Sequence, residues 1–302
     1  MTQPTTSDAA SRCTALMNRV SVAFQGIVNV SPDSFSDGGM FCDANSSLRQ
    51  ALALVDQGAH IIDLGGVSTR PGAQSISTDE ELRRVIPALR LIRSQLPSAV
   101  LVSLDTSNPI VAEEAAKENL IDIVNDVFAA QKRISVDQSA TNQTESEVKK
   151  TTAHIAAKYK LGLILMHMQG IPTTMQLNPN YVDCIDEVVK FLQERMEFAL
   201  ECGVTWLALD PGIGFGKTLE HNICLLSKEG IKNLSLLGAP VLIGLSRKSF
   251  LKAHANSIGS LPKLDSTYED IKWRDEASKI WEQSCIRAGA RIIRTHVIKS
   301  YN

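Results

Sequence analysis

The sequence has few aromatic residues, no surplus of charge and no long apolar run. Phe, Trp and Tyr make up 5% of its 302 residues, and its formal net charge is −2 at pH 7. A nearly neutral chain has no bulk attraction for nucleic acid or for an anionic membrane, so any anion site must be built locally. No apolar run approaches the roughly 18 residues of a membrane span. We therefore predict neither nucleic acid nor a membrane as a partner.

Paired cysteines and a secretory leader are also lacking. The six cysteines are scattered without a CxxC pair, which argues against a disulfide framework or a zinc site. Residues 1–12 are rich in Thr, Ser and Ala and contain no apolar signal core. We expect a cytoplasmic protein in which residues 1–20 are a flexible N-terminal tail and residues 21–302 are a single domain.

Eight short apolar runs recur along the chain, separated by amphipathic stretches. Continuous apolar runs are typical of strands buried on both faces, and strands that alternate with helices predict a parallel sheet. Eight such strands favour an α/β fold of the (β/α)8 TIM barrel type, with an open doubly wound sheet as the alternative. No Gly-x-Gly-x-x-Gly follows the first run, which weakens a dinucleotide-binding hypothesis. The runs are Val22–Val30, His60–Leu64, Ala99–Asp105, Ile121–Asn125, Gly162–His167, Thr205–Asp210, Ala239–Gly244 and Arg291–Arg294.

The amphipathic stretches predict the helices. Thr78 and Glu81 fit a capping box that starts the second helix. Two polar segments, Gln131–Lys150 and Ala255–Lys272, predict long connections within the domain. The predicted helices are Ser46–Gln57, Thr78–Gln95, Pro109–Asn119, a helix near Glu145–Tyr159, Tyr181–Cys202, Leu219–Leu237 and Arg274–Ala288.

At or next to its carboxyl end, every predicted strand carries a residue that can ionise or form hydrogen bonds; on the second strand this residue is Asp63. In (β/α)8 barrels the site forms at these carboxyl ends. Asp105, Asn125 and Asp210 together would present acceptors and donors to a flat, polar heterocycle. Asp210 precedes a glycine-rich segment, so its alternative role is to cap a tight turn.

Cationic side chains follow the last two predicted strands. Lys248 stands in the turn Ser246–Ser249, where donors cluster for an anionic or carbonyl-bearing ligand; a surface lysine is the alternative. Arg294 and His296 alternate on the last strand and so point to one side, as an anion clamp for phosphate would require; an exposed strand end is the alternative.

Three further polar positions carry weaker signals. Asn29 could cap a turn or offer an oxygen to Mg²⁺, which takes few protein ligands. His167 is typical of an interior histidine, and Met166 of a core residue. Lys217 resembles the end of a phosphate-binding loop, but Pro211 stands where that motif needs its first glycine, which argues against a nucleotide triphosphatase.

Taken in order, eight segments from about residue 22 to residue 297 resemble the dihydropteroate synthase family. The longest and most specific are the first, the second and the sixth. The segments are Gly26–Gly39, Asp63–Ala73, Ser103–Thr106, Val124–Val127, Met166–Gly170, Asp210–Thr218, Ser246–Phe250 and Ile293–His296.

The resemblance implies a pterin-binding TIM barrel that joins 6-hydroxymethyl-7,8-dihydropterin diphosphate to p-aminobenzoate with the help of Mg²⁺. It implies that Lys248, Asp105 and Asp210 are the catalytic residues. The implied pterin-binding residues are Asp105, Asn125, Met166, Asp210, Phe215 and Lys248. The implied diphosphate-binding residues are Asn29, Arg70, Arg294 and His296, with Asn29 also as the metal ligand. The implied aminobenzoate-binding residues are Thr69, Arg70, Pro71, Ser246 and Lys248, and Asp33, Ser34 and Phe35 would belong to a mobile loop.

The sequence departs from the family pattern at three places. Val67 stands where the family usually carries Glu, and Val297 where it usually carries Asp. We also expect the family's usual last helix to be missing, and because the family builds a homodimer on its late helices, we expect the usual dimer to be affected. These departures keep two alternatives open: an impaired or non-catalytic pterin-binding relative, and the pterin-binding domain of a methyltransferase.

Overall fold

The computed structural model describes residues 8–30, 39–68, 76–132, 150–263 and 266–298, with the backbone alone at 39–43. Eight strands alternate with helices along these residues. The strands are β1 (Ala23–Asn29), β2 (Ile61–Gly65), β3 (Leu101–Asp105), β4 (Ile123–Asp126), β5 (Gly162–Met166), β6 (Leu207–Asp210), β7 (Leu242–Ile243) and β8 (Ile292–Thr295). The helices are α1 (Ala9–Arg19), α2 (Gly39–Asp56), α3 (Thr78–Gln95), α4 (Pro109–Lys117), α5 (Thr152–Lys158), α6 (Cys184–Glu201), α7 (Leu219–Leu226), α8 (Lys228–Ser235), α9 (Phe250–Ser257) and α10 (Thr267–Ala288).

The strands form one parallel sheet that closes into a barrel, which confirms the predicted fold. Their order is β6-β5-β4-β3-β2-β1-β8-β7. A single bridge between Leu209 and Val241 joins the two ends of that order, and the Leu209 amide donates to the Pro240 carbonyl at 2.9 Å. The β6–β7 pairing therefore has the fewest paired residues of the barrel. Because the sheet closes, the open doubly wound alternative is wrong.

Several predicted helix boundaries shift, each because of a side-chain cap. Ser77, rather than Thr78, caps α3 by accepting from the Glu80 amide. Ser227 accepts from the Gly230 amide and so splits the predicted Leu219–Leu237 helix into α7 and α8. Ser266 caps α10, which begins at Thr267 instead of Arg274 and occupies part of the predicted Ala255–Lys272 connection.

Two apolar layers stabilise the barrel. The outer layer lies between the strands and the surrounding helices and includes Leu64, Leu104 and Leu209. The inner layer fills the floor of the barrel, at the amino ends of the strands, with one or more side chains from every strand region. Its buried members are Ala10, Cys13, Leu16, Ala23, Ile61, Leu101, Ile123, Ile164, Trp206, Ala208, Leu242 and Ile292.

The predicted flexible tail is wrong for residues 9–19, which form α1. Ala10, Cys13 and Leu16 recur every three residues and bury one face of the helix against the floor. Asp8 caps the start of α1 through the Ser11 amide at 2.8 Å. At its other end, Arg291 donates to the carbonyls of Met17, Val20 and Ser21. The composition of this segment did not predict a helix, because the apolar face of α1 is short.

The described residues contain no helix long and apolar enough to cross a membrane. They also contain no helix after β8, where the description ends at residue 298.

We predict that Leu16→Ala lowers the free energy of unfolding by about 2–4 kcal/mol, because Leu16 is buried beneath the barrel floor and its removal leaves a cavity. Urea denaturation followed by circular dichroism measures the change. Asn18→Ala, at an exposed position of the same helix, is the matched control. Equal stability of the two variants would contradict the packing of α1 described above.

Candidate active site

Polar side chains line the interior of the barrel at the carboxyl ends of its strands. On β3, Val102 and Leu104 pack in the outer apolar layer, so Ser103 and Asp105 face the interior. The same alternation turns Asp63 inward on β2 and Arg294 inward on β8. A closed parallel barrel thus converts strand ends that are distant in sequence into one mouth.

Arg294 lies between two carboxylates at this mouth. Its Nε donates to Asp63 Oδ2 at 2.6 Å, and its second terminal nitrogen donates to Asp105 Oδ2 at 2.7 Å. Asn125 Nδ2 donates to the same Asp63 oxygen at 3.1 Å. Burial disfavours the charged guanidinium, but the two carboxylates outweigh it and raise the pKa of Arg294, so this group stays cationic.

The acidity of Asp105 is altered by its surroundings. Burial raises its pKa to about 7, against the attraction of Arg294, and further carboxylates add to the rise. Those carboxylates belong to Asp63, Glu81 and Asp126. Asp105 is therefore poised to change its charge near neutral pH.

Asp210 combines the two roles considered for it. Its Oδ1 accepts from the Gly212 amide at 2.7 Å and so caps the turn after β6. Its side chain is nevertheless buried at the barrel mouth, and burial raises its pKa, although Lys248 opposes the rise. No described residue donates to Oδ2, which leaves that oxygen available to a ligand.

Lys248 projects into the mouth from the turn after β7. Its Nζ donates to the Ile213 carbonyl at 2.5 Å and lies 4.7 Å from the centre of the Phe215 ring. Burial lowers the pKa of Lys248 to about 8, while the charge of Asp210 opposes the shift. A half-buried lysine against an aromatic face can bind a planar ligand from one side.

The neighbours of Lys248 in this turn bind other elements of the barrel. Arg247 has a positive φ of 62°, and its guanidinium pairs with Asp275 of α10 through bonds of 2.9 and 3.1 Å. Ser246 Oγ accepts from the His296 amide at 3.1 Å and lies 3.0 Å from its Nδ1. The turn thus sends Arg247 outward and joins Ser246 to the end of β8.

Lys217 is a buried lysine, which the sequence suggested only as the end of a phosphate-binding loop. Its Nζ lies 2.9 Å from His167 Nδ1 and donates to the Phe215 carbonyl at 3.0 Å. Burial lowers the pKa of Lys217 to about 7, and burial together with Lys217 lowers that of His167 to about 3. His167 is therefore neutral and accepts from Lys217. The one available signal was that Lys217 follows the glycine-rich segment.

The loops after β5 and β6 are in backbone contact around Lys217. A Cβ on Gly212 would lie 1.8 Å from the His167 carbonyl oxygen, and Gly212 has a φ of 67°. A Cβ on Gly216 would lie 2.3 Å from the Gln169 carbonyl oxygen. Only glycine permits this approach. The contact fixes Phe215, and hence the face against which Lys248 lies.

Comparisons with known proteins agree with this geometry. The family model described as pterin binding enzyme matches residues 25–296. The dihydropteroate synthase of Synechocystis is 39% identical over 282 residues, which cover 91% of this chain and 85% of that protein. This chain belongs to the dihydropteroate synthase family.

Solved structures support the same assignment. The crystal structure of the Yersinia pestis dihydropteroate synthase in a sulfonamide drug complex superposes with a TM-score of 0.75 at 35% identity, covering 92% of this chain and 90% of that one. The Xanthomonas albilineans enzyme in complex with 7,8-dihydropteroate superposes with a TM-score of 0.69 at 30% identity, covering 92% and 88%.

The fold brings together most of the residues that the family resemblance singled out. Asp105 bonds Arg294, Lys248 lies against Phe215, and Ser246 bonds His296. Asn29 ends β1 with an exposed side chain, while Met166 is buried at the end of β5, paired in register with Asp210. The predicted Thr69, Arg70, Pro71, Asp33, Ser34 and Phe35 lie outside the described residues.

We predict that Lys217→Met speeds hydrogen exchange of the backbone amides of residues 211–218 by about tenfold or more, because it removes the bonds that link this loop to His167. Hydrogen–deuterium exchange followed by mass spectrometry measures the effect. Lys228→Met removes an exposed lysine of α8 and should leave the loop unchanged. The same exchange rates in both variants would rule out the link.

Proposed function

We propose that this protein is a dihydropteroate synthase that joins 6-hydroxymethyl-7,8-dihydropterin diphosphate to p-aminobenzoate in folate biosynthesis. The observation that carries the proposal is the barrel mouth itself, where Asp105, Asn125, Asp210 and Lys248 come from four different strand ends in a chain of this family. Acceptors and donors of this kind fit the edge of a flat, polar heterocycle such as a pterin.

The reaction replaces one bond at the methylene carbon of the pterin. The carbon–oxygen bond to the diphosphate breaks, and diphosphate leaves with the electron pair. The electron-rich pterin ring spreads the positive charge that remains on the carbon. The amine nitrogen of p-aminobenzoate then forms the new carbon–nitrogen bond and loses a proton. The protein must stabilise the leaving charge and exclude water, but it needs no covalent nucleophile.

The pterin end of the substrate fits the acidic side of the mouth. Asp210 Oδ2 and the amide of Asn125 face the interior, and each can meet a ring nitrogen or exocyclic group. Lys248 would donate to the ring from the turn after β7. Phe215 and Met166 supply apolar surface beside it. These groups orient the ring so that its methylene points to the cationic side.

The diphosphate fits the side formed by β8 and β1. Arg294 keeps its charge between two carboxylates, and His296 directly follows the end of the same strand. Asn29 is exposed at the end of β1 and forms no side-chain hydrogen bond with any described residue, so its oxygen fits a Mg²⁺ ligand. Magnesium held there would neutralise charge on the diphosphate, whose own oxygens and water complete the shell. Arg70 remains a prediction for the same end.

The aminobenzoate would lie outside the pterin, against the turn that carries Lys248. Ser246 offers its hydroxyl to the carboxylate, with His296 holding that hydroxyl in place. Thr69, Arg70 and Pro71 remain predictions for this part of the site.

We further propose that the protein works in the cytoplasm. The five cysteines with described side chains are all free, as expected in a reducing compartment. That the family's usual homodimer is affected in this chain stays a prediction.

The proposed function predicts that the purified protein with Mg²⁺ and both substrates forms dihydropteroate, and that Lys248→Ala lowers kcat by about a hundredfold or more, because a donor at the reacting ring is lost. Product formation is measured by chromatography, with and without a sulfonamide.

Lys252→Ala is the matched control, since Lys252 is only a few residues away but pairs with Asp270 at 2.8 Å on the surface. It should keep the wild-type rate. Folded wild-type protein that makes no product would refute the proposal. Pterin binding measured by calorimetry without turnover would select a non-catalytic pterin-binding relative.

We also predict a bell-shaped dependence of kcat/KM for the pterin diphosphate on pH. Below about pH 7, Asp105 gains a proton and loses its negative charge; above about pH 8, Lys248 loses a proton and its positive charge. Initial rates between about pH 5.5 and 9.5 at low substrate concentration measure the curve. In Lys248→Arg the guanidinium does not titrate in this range, so the alkaline limb should shift to higher pH or disappear. An unchanged alkaline limb in that variant would exclude Lys248 as its source.

A further inference from the structure

One carboxylate oxygen inside the barrel orients two residues that serve different ends of the substrate. Asp63 Oδ2 accepts from Arg294 Nε at 2.6 Å and from Asn125 Nδ2 at 3.1 Å. Asp63 itself is completely buried. In the proposed site, Arg294 meets the diphosphate and Asn125 meets the pterin ring. A single acceptor therefore links the two halves of one binding site.

Barrel geometry explains why β2 can reach both partners. Asp63, Asn125 and Arg294 stand on β2, β4 and β8, and alternate strands of a (β/α)8 barrel contribute inward side chains to the same layer. Asp63 pairs in register with Ile27 of β1 and Ser103 of β3, which places it between the two partners around the barrel wall.

The bonds to Asp63 constrain how Arg294 can present its charge. Asp63 accepts from Nε of the guanidinium, and Asp105 accepts from the terminal nitrogen Nη2. The other terminal nitrogen, Nη1, has no bond to a described residue. The planar guanidinium cannot rotate without breaking one of these bonds. Its free edge therefore has one fixed direction before any anion binds.

We propose that Asp63 is a positioning residue for the pterin diphosphate: it fixes the plane of Arg294 and the amide of Asn125 at once, so that both ends of that substrate meet groups already in place. This inference rests on the proposed function. Pre-organised groups lose less entropy on binding, so the benefit falls on this substrate and not on p-aminobenzoate.

The chain supplies a matched control at the other end of the barrel. Asp122 is also buried, also pairs with two arginines, Arg12 and Arg93, and also accepts from a neighbouring strand through the Val102 amide at 2.8 Å. It differs from Asp63 in lying below the barrel, away from the mouth. If the role of such a buried carboxylate is purely structural, replacing Asp63 and replacing Asp122 should have the same effects.

We predict that Asp63→Asn raises KM for the pterin diphosphate by about tenfold or more, while KM for p-aminobenzoate stays within about twofold, because the charge-assisted hydrogen bond to Arg294 becomes a weaker neutral one and no longer holds the guanidinium firmly. Calorimetry with inorganic diphosphate should show a comparable loss of affinity. Asp122→Asn should lower the melting temperature and leave both KM values unchanged.

The acid limb of the pH profile gives a second readout. Asp105 faces the charges of Arg294, Asp63, Glu81 and Asp126, and the negative charge of Asp63 helps to raise its pKa. Asp63→Asn removes that charge, so the pKa of Asp105 falls and the acid limb of kcat/KM moves to lower pH. Asp122→Asn should leave the limb in place.

If Asp63→Asn does not fold, Asp63→Glu is the second variant. It keeps the negative charge but displaces the carboxylate oxygens by one methylene, so the same selective rise in KM is expected. Equal effects on both KM values, or a loss of stability alone as in Asp122→Asn, would overturn the inference. A wild-type protein without turnover would instead remove the proposed function, so the two failures are distinguishable.

Discussion

The ion pairing of the partly buried Arg294 with two carboxylates is the interaction on which the interior of the barrel depends. Two carboxylates, Asp63 and Asp105, stand inside a closed ring of apolar strands where unpaired charges would be costly. Arg294 compensates both, and Asn125 satisfies Asp63 further. Without this cation the pKa of Asp105 would rise further, and the negative charge that it presents at the mouth would be lost.

The remaining site geometry depends on contact between loops. The β5 and β6 loops approach so closely that only glycine fits at Gly212 and Gly216, and Lys217 joins them from within. Phe215 and Lys248 take their positions from that contact. A reaction that produces a water-sensitive cation benefits from such rigidity, because the electrostatic groups then need no rearrangement during the reaction.

Much of the fold could be read from local patterns. The continuous apolar runs predicted eight buried strands, and the polar residues at their ends predicted the mouth where Asp105, Asn125 and Asp210 meet. The helix α1 could not be read in this way. Its buried face consists of Ala10, Cys13 and Leu16, and its short, polar-rich sequence is typical of a tail unless a barrel floor is present to receive it.

The sequence by itself determined the family, the barrel and the set of residues at the strand ends, because those signals lie in short contiguous motifs. Only the tertiary structure decided which of these residues share a bond. Asp63 and Arg294 are far apart in the chain, and the sequence treated the first as a strand end and the second as a phosphate clamp. Closing the barrel sets β8 beside β1 and turns both side chains inward, so that a carboxylate and a guanidinium meet where water is largely excluded.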